Sequence, residues 1–151
     1  MNAPNVDQLA NDILALIKDH GPSDQTIEVH GTALISEFLK KPGVQESLSG
    51  LDVEKKVCLW GMQGEGLQIL LHGADTPKKG SPHDLGHSWA LYFQVSGITR
   101  MCTYNRITGT PGQPGEAVLE KIDETDVTPG NAMFFGPQVI HSTQHPSPPA
   151  R

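Results

Sequence analysis

The feature that most constrains this chain is a change of hydrophobic period near residue 55. Before it, Val6, Leu9, Ala10, Ile13 and Ile17 recur at three- and four-residue steps and make one apolar stripe, which predicts an amphipathic helix. Asn5 can cap its start and His20-Gly21-Pro22 ends it. Ser23 and Asp24 open a second helical segment that gathers Leu34, Ile35, Phe38 and Leu39. His30-Gly31 interrupts that segment, and Lys41-Pro42-Gly43 stops it.

After residue 55 the apolar runs shorten and turn residues separate them. Lys56–Trp60 and Leu67–Leu71 flank Gln63-Gly64-Glu65-Gly66 and read as a hairpin. A loop over Gly73–Pro82 follows. Ser88–Val95 and Ile98–Arg106 then read as a second hairpin about Ser96-Gly97. Beyond a Gly, Pro and Thr loop at Thr108–Gly115, which is placed to act as a lid or a solvated connector, come strand candidates at Ala117–Ile122, Ala132–Phe135 and Val139–Thr143. The 16 glycines and 12 prolines cluster between these runs, a pattern of many strands and tight turns. The expected architecture is mainly β: a closed or nearly closed antiparallel barrel over 51–151, with a helical segment over 1–50 packed on it. At 151 residues the two parts make one domain.

The formal net charge is −6 and the lysine pairs sit beside turns, so no basic stripe suits a nucleic acid. No apolar stretch approaches the roughly 20 residues that cross a bilayer. The polar start, MNAPNVDQLA, shows no export signal. Cys58 and Cys102 lie far apart in apolar segments and read as reduced core residues, which fits a cytoplasmic protein.

Two segments carry the candidate chemistry. One is Pro82-His83-Asp84-Leu85-Gly86-His87-Ser88-Trp89-Ala90; the other runs from Gly130 to His141, with His145 beyond. In an extended strand His83, Leu85 and His87 share a face. Two imidazoles there and His141 from another strand would make a facial set suited to a divalent metal. His20, His30 and His72 have no neighbour at ligand spacing and read as ordinary polar residues. Trp60, Trp89, Tyr92 and Phe93 read as core.

At these segments the chain resembles the cupins, whose fold is a double-stranded β-helix, or jelly roll. Gly97 sets the register of the first motif, with His83 at the first histidine, Leu85 at the second and Ala90 at the glutamate. Gly130 and His141 stand at the separation of the second motif, although Gly136-Pro137-Gln138 replaces its middle triplet. The chain is most similar to the cysteine-dioxygenase-like group, small bacterial members included. Its first motif often reads Pro-His-Asp-His-Gly-x-Ser-Trp-Ala, and its iron is held by three histidines.

The resemblance implies a mononuclear Fe(II) dioxygenase acting on a small organic substrate, a thiol among the candidates, with Ni, Zn or Mn as other metals. His83 and His141 are its inherited ligands. Leu85 cannot coordinate, and a bulge at Gly86 would let His87 substitute. Tyr92, Tyr104 or His145 would act beside the metal, and Arg100 or Arg106 would meet a substrate carboxylate. The alternative is a metal-free cupin that binds a small ligand or a protein partner, with Leu85 filling the barrel. Such barrels add a strand after the second motif, carrying a tyrosine near the iron in thiol dioxygenases. Here Arg151 follows soon after. Truncation, or a partner chain over the open edge, would account for that, and the second predicts a homodimer.

Overall fold

A computed structural model describes residues 3–21, 24–54, 56–62, 65–109, 115 and 117–151. Helix α1 spans Asp7–His20. The Asn5 side-chain oxygen accepts the Asp7 N–H at 2.9 Å, so Asn5 does help to start it. Gly21, at φ 79°, closes it by donating to the Ile17 carbonyl. The second segment forms α2 (Asp24–Thr26), a π-helical turn (Ile27–Gly31) and α3 (Thr32–Leu39). His30-Gly31 therefore loosens the helix without breaking it. A Cβ on Gly31 would meet the Leu91 side chain at 3.1 Å, so glycine lets this turn approach the sheet closely. Helix α4 (Val44–Ser49), which the periodicity did not single out, follows Gly43.

Eight strands follow: β1 (Val57–Met62), β2 (Glu65–Leu71), β3 (Lys78–Lys79), β4 (Ala90–Phe93), β5 (Thr99–Thr108), β6 (Val118–Val127), β7 (Ala132–Phe135) and β8 (Ile140–His145). Strand accounts for 38% and helix for 26%, so the chain is mainly β. The strands form antiparallel sheets ordered β1-β2, β3-β8-β5-β6 and β4-β7, an arrangement compatible with a β-sandwich. Among the described residues these ladders form no single closed ring.

The first expected hairpin is β1-β2, with its Gln63-Gly64 turn outside the described residues. The second is not a hairpin. β4 pairs with β7, while β5 pairs with β6 and β8, so Ser96-Gly97 carries the chain from one sheet to another. Most of the Thr108–Gly115 loop lies outside the described residues. Edge strand β6 carries Glu120, Lys121, Asp123, Glu124 and Asp126, charges that discourage pairing with another strand. Among the described residues no helix is long and apolar enough to cross a membrane.

Two apolar clusters hold these layers. Val6, Leu9 and Ile13 pack with Phe38, Leu39, Val44, Leu48, Val53 and Leu71, joining the helices to β2. Trp60 and Phe93 pack against this cluster. The second cluster is Met101, Val127 and Phe135, with Tyr92, Met133 and Val139 against it, and it joins β4-β7 to β5 and β6. Each fully buried large side chain contributes about 2 kcal/mol. Cys102 is buried, whereas Cys58 is exposed on β1, so only one of the two expected core cysteines lies inside.

Arg151 ties the helices to the strands. The residue is 8% exposed, and its side chain donates to the Leu48, Ser49 and Leu51 carbonyls at 3.1 to 3.3 Å, and to Asp75 at 2.8 Å. These carbonyls lie where α4 ends, and that of Leu48 also accepts the Leu51 N–H at 3.3 Å. Its backbone bonds Val95 and Ser96, and Ala150 bridges Ala74. Gly97, at φ 68°, makes room for this segment, because a Cβ there would collide with the Pro149 carbonyl oxygen. Replacing Arg151 removes its bonds to the three carbonyls and to Asp75. Arg151→Met is expected to lower unfolding free energy by about 3 kcal/mol in urea titration. Gly97→Ala should destabilise as well, through both its φ and its contact. Arg100→Met, at an exposed pair, should leave the midpoint unchanged.

Candidate functional site

The segment from Lys78 to His83 lies along β8 as an irregular strand. Lys78 and Lys79 pair with His145 and Gln144, and the Gly80 N–H donates to the Thr143 carbonyl at 2.8 Å. His83 and His141 then exchange backbone hydrogen bonds, both 2.9 Å. Past His83 the chain turns away. The Asp84 carboxylate accepts the Gly86 N–H at 2.8 Å, Gly86 sits at φ 61°, and the Ser88 N–H donates to the Leu85 carbonyl at 3.1 Å. The kink expected at Gly86 is thus present. It ends the extended segment, so the two-residue alternation does not carry from His83 to His87. His87 is exposed, and Leu85, at 36% exposure, does not fill the interior either.

The backbone bridge sets His83 and His141 side by side, with ring centroids 4.6 Å apart and planes at 60°. Each Nδ1 meets a carbonyl, Ser81 at 3.0 Å for His83 and Val139 at 3.1 Å for His141. A carbonyl only accepts, so each Nδ1 carries the proton. The His141 ring lies flat on Phe135 at 4.3 Å, with Tyr92 edge-on at 6.0 Å. Burial pushes the His141 pKa below its usual 6.5, against the opposing pull of the Val139 carbonyl, so the ring is neutral at neutral pH. Its Nε2 is then an acceptor. That atom is fully buried and has no hydrogen-bond partner among the described residues. Burial likewise raises the Tyr92 pKa and keeps its hydroxyl protonated.

Sequence reasoning missed His72, which follows β2 and packs edge-on to Tyr92 at 5.7 Å. Its pKa falls to about 4, first through burial and then through the nearby charges of Lys56, His145, His83 and Lys78. Only its place after a strand and before Gly73 hinted at this. His145 is buried, with Nδ1 3.3 Å from the Thr99 hydroxyl, and burial followed by Lys78 lowers its pKa.

The remaining candidates fall elsewhere. Thr103 stands opposite His141 in the β5-β8 ladder, and residues directly opposite share a face. Tyr104, opposite Ile140, is on the other face, where its hydroxyl bonds Ser142 Oγ at 2.8 Å. Arg100 is on that same face and grips Asp126 with two bonds of 2.9 and 3.3 Å. Arg106 shares its parity and pairs with Leu119 on β6. So Tyr92 joins the histidine pair, while Tyr104 and the two arginines do not. Among the described residues no three His, Cys, Asp or Glu side chains form a group that could hold a metal ion. In comparisons with known proteins, no family model and no curated protein matches the chain.

His72 gives the site a pH signature. Its folded pKa lies below the unfolded value, so the unfolded chain takes up its proton first as pH falls. The folded state is therefore fully stable above about pH 6.5 and loses up to about 3 kcal/mol from this group as pH falls towards 4. His141 and His145 act in the same direction. Urea unfolding across this range should show that slope, and His72→Gln should flatten it.

Proposed function

We propose that the chain is a cupin-type jelly roll in which His83, His141 and Tyr92 form the binding centre for a small molecule, without a resident metal. The observation that carries this reading is the unpartnered His141 Nε2. A buried acceptor left without a partner costs about 1–3 kcal/mol, so a ligand O–H or N–H placed there recovers that energy on binding. Phe135 and Tyr92 supply the apolar wall that such a centre needs.

A second reading, the metal-dependent dioxygenase, has its own support. Both Nδ1–H groups are held by backbone carbonyls, the way ligating histidines are oriented, leaving both Nε2 atoms free of that role. His83 and His141 would hold the ion, and Fe(II) would supply Lewis acidity and a place for dioxygen. The donor set is what weakens it. Leu85 occupies the usual third position, His87 is exposed in a turn, and two imidazoles alone hold a divalent ion weakly. The metal-free reading therefore leads.

Elemental analysis separates them, using untagged protein before and after anaerobic Fe(II) loading, with His141→Ala and His87→Ala variants. The metal-free reading expects far less than one metal per chain in every sample. Near-stoichiometric iron that is lost in both variants would overturn it and make His87 the third ligand.

A further inference from the structure

Beside the histidine pair lies a cleft of about 340 Å³ lined by Val53, Lys56, His72, Gly73, Lys78, Lys79, Gly80, Thr143 and His145. Every ionisable side chain in that lining is basic. The chain as a whole has 17 acidic residues against 11 Lys and Arg, yet no acidic residue lines this cleft. Lys78, opposite His145, shares the cleft face, while Lys79, opposite Gln144, projects from the other face of the ladder. The nearby acid Asp75 is already engaged by Arg151 at 2.8 Å. Among the described residues neither Lys56 nor Lys79 is ion-paired. Lys78 is held in place by the Glu54 carbonyl at 3.1 Å and the Val53 carbonyl at 3.5 Å, which leaves one of its three N–H donors free.

We infer that this cleft binds a dianionic oxyanion of the phosphate class, held by Lys56 and Lys78 with the Thr143 hydroxyl as a further donor. Two ammonium groups beside one cavity make it positive, and a compact ammonium is a natural point-charge partner for a phosphate oxygen. Matching a single carboxylate would need one such group or a bidentate arginine, whereas two match a ligand with two negative charges. His72 and His145 are neutral at neutral pH and so add hydrogen-bonding capacity to the wall without adding charge. The same lysines that depress His72 would have their field cancelled by the bound anion. This inference does not depend on what, if anything, the His83–His141 pair binds.

The test is calorimetric titration of the folded chain with inorganic phosphate, and with acetate as a monoanion, at constant ionic strength. The expected result is saturable phosphate binding, with acetate markedly weaker. Lys56→Gln should weaken phosphate roughly tenfold. Lys78→Gln should weaken it at least as much. Because Lys78 also braces residues 53–54, Lys56→Gln decides the matter if this one fails to fold. Lys79→Gln, on the other face of the ladder, should bind phosphate as the wild type does. His141→Ala and the surface control Lys18→Gln should bind phosphate as the wild type does. Absence of saturable binding would overturn the inference. So would acetate binding as tightly as phosphate, or phosphate binding unchanged in Lys56→Gln.

Discussion

The pair of backbone hydrogen bonds between His83 and His141 is the interaction on which the site depends. β8 lies inside its sheet, with β5 on one side and the irregular Lys78–His83 segment on the other. Without that bridge the segment keeps the short β3 pairing, the Gly80 bond and the Lys78 side-chain bonds, all at its other end. With it, two imidazoles are set 4.6 Å apart, and His141, Thr143 and His145 follow along one face of β8. The cleft and the histidine pair are therefore parts of one strand face.

Burial and charge then act together on that face. Phe135, Tyr92 and the surrounding core desolvate the His141 ring, and desolvation favours its neutral form. Burial acts likewise on His72 and His145, with Lys56 and Lys78 adding to it on His72 and Lys78 on His145. The result is neutral imidazoles at His72, His141 and His145 beside a positive rim in an acidic protein. A buried acceptor is costly to hold without a donor, and at the His141 Nε2 that cost points to a ligand.

Local pattern revealed the elements better than their pairing. The stripe from Val6 to Ile17 and the stop at His20-Gly21 correspond to α1, and Ala132–Phe135 is β7 residue for residue. Ser96-Gly97 looks like a hairpin turn in any sequence. That it crosses between sheets follows from β4 meeting β7 and β5 meeting β8, contacts between residues 36 to 45 apart in the chain that local alternation does not encode. The same limit applies at the site. His83 and His141 stood out by spacing, and the structure sets them together. Parity placed His87 with them, but the Asp84-Gly86 turn ends the strand first. His72 had no spacing signal, since its place beside Tyr92 is a tertiary contact between residues 20 apart in the chain.

The most direct test is the tautomer of His141, read from the ring ¹⁵N chemical shifts of the ligand-free protein at neutral pH. A neutral ring protonated on Nδ1, with Nε2 bare and shifting when a ligand or metal is added, is the predicted result. A ring protonated on Nε2, or charged at pH 7, would remove the buried acceptor and with it the central claim.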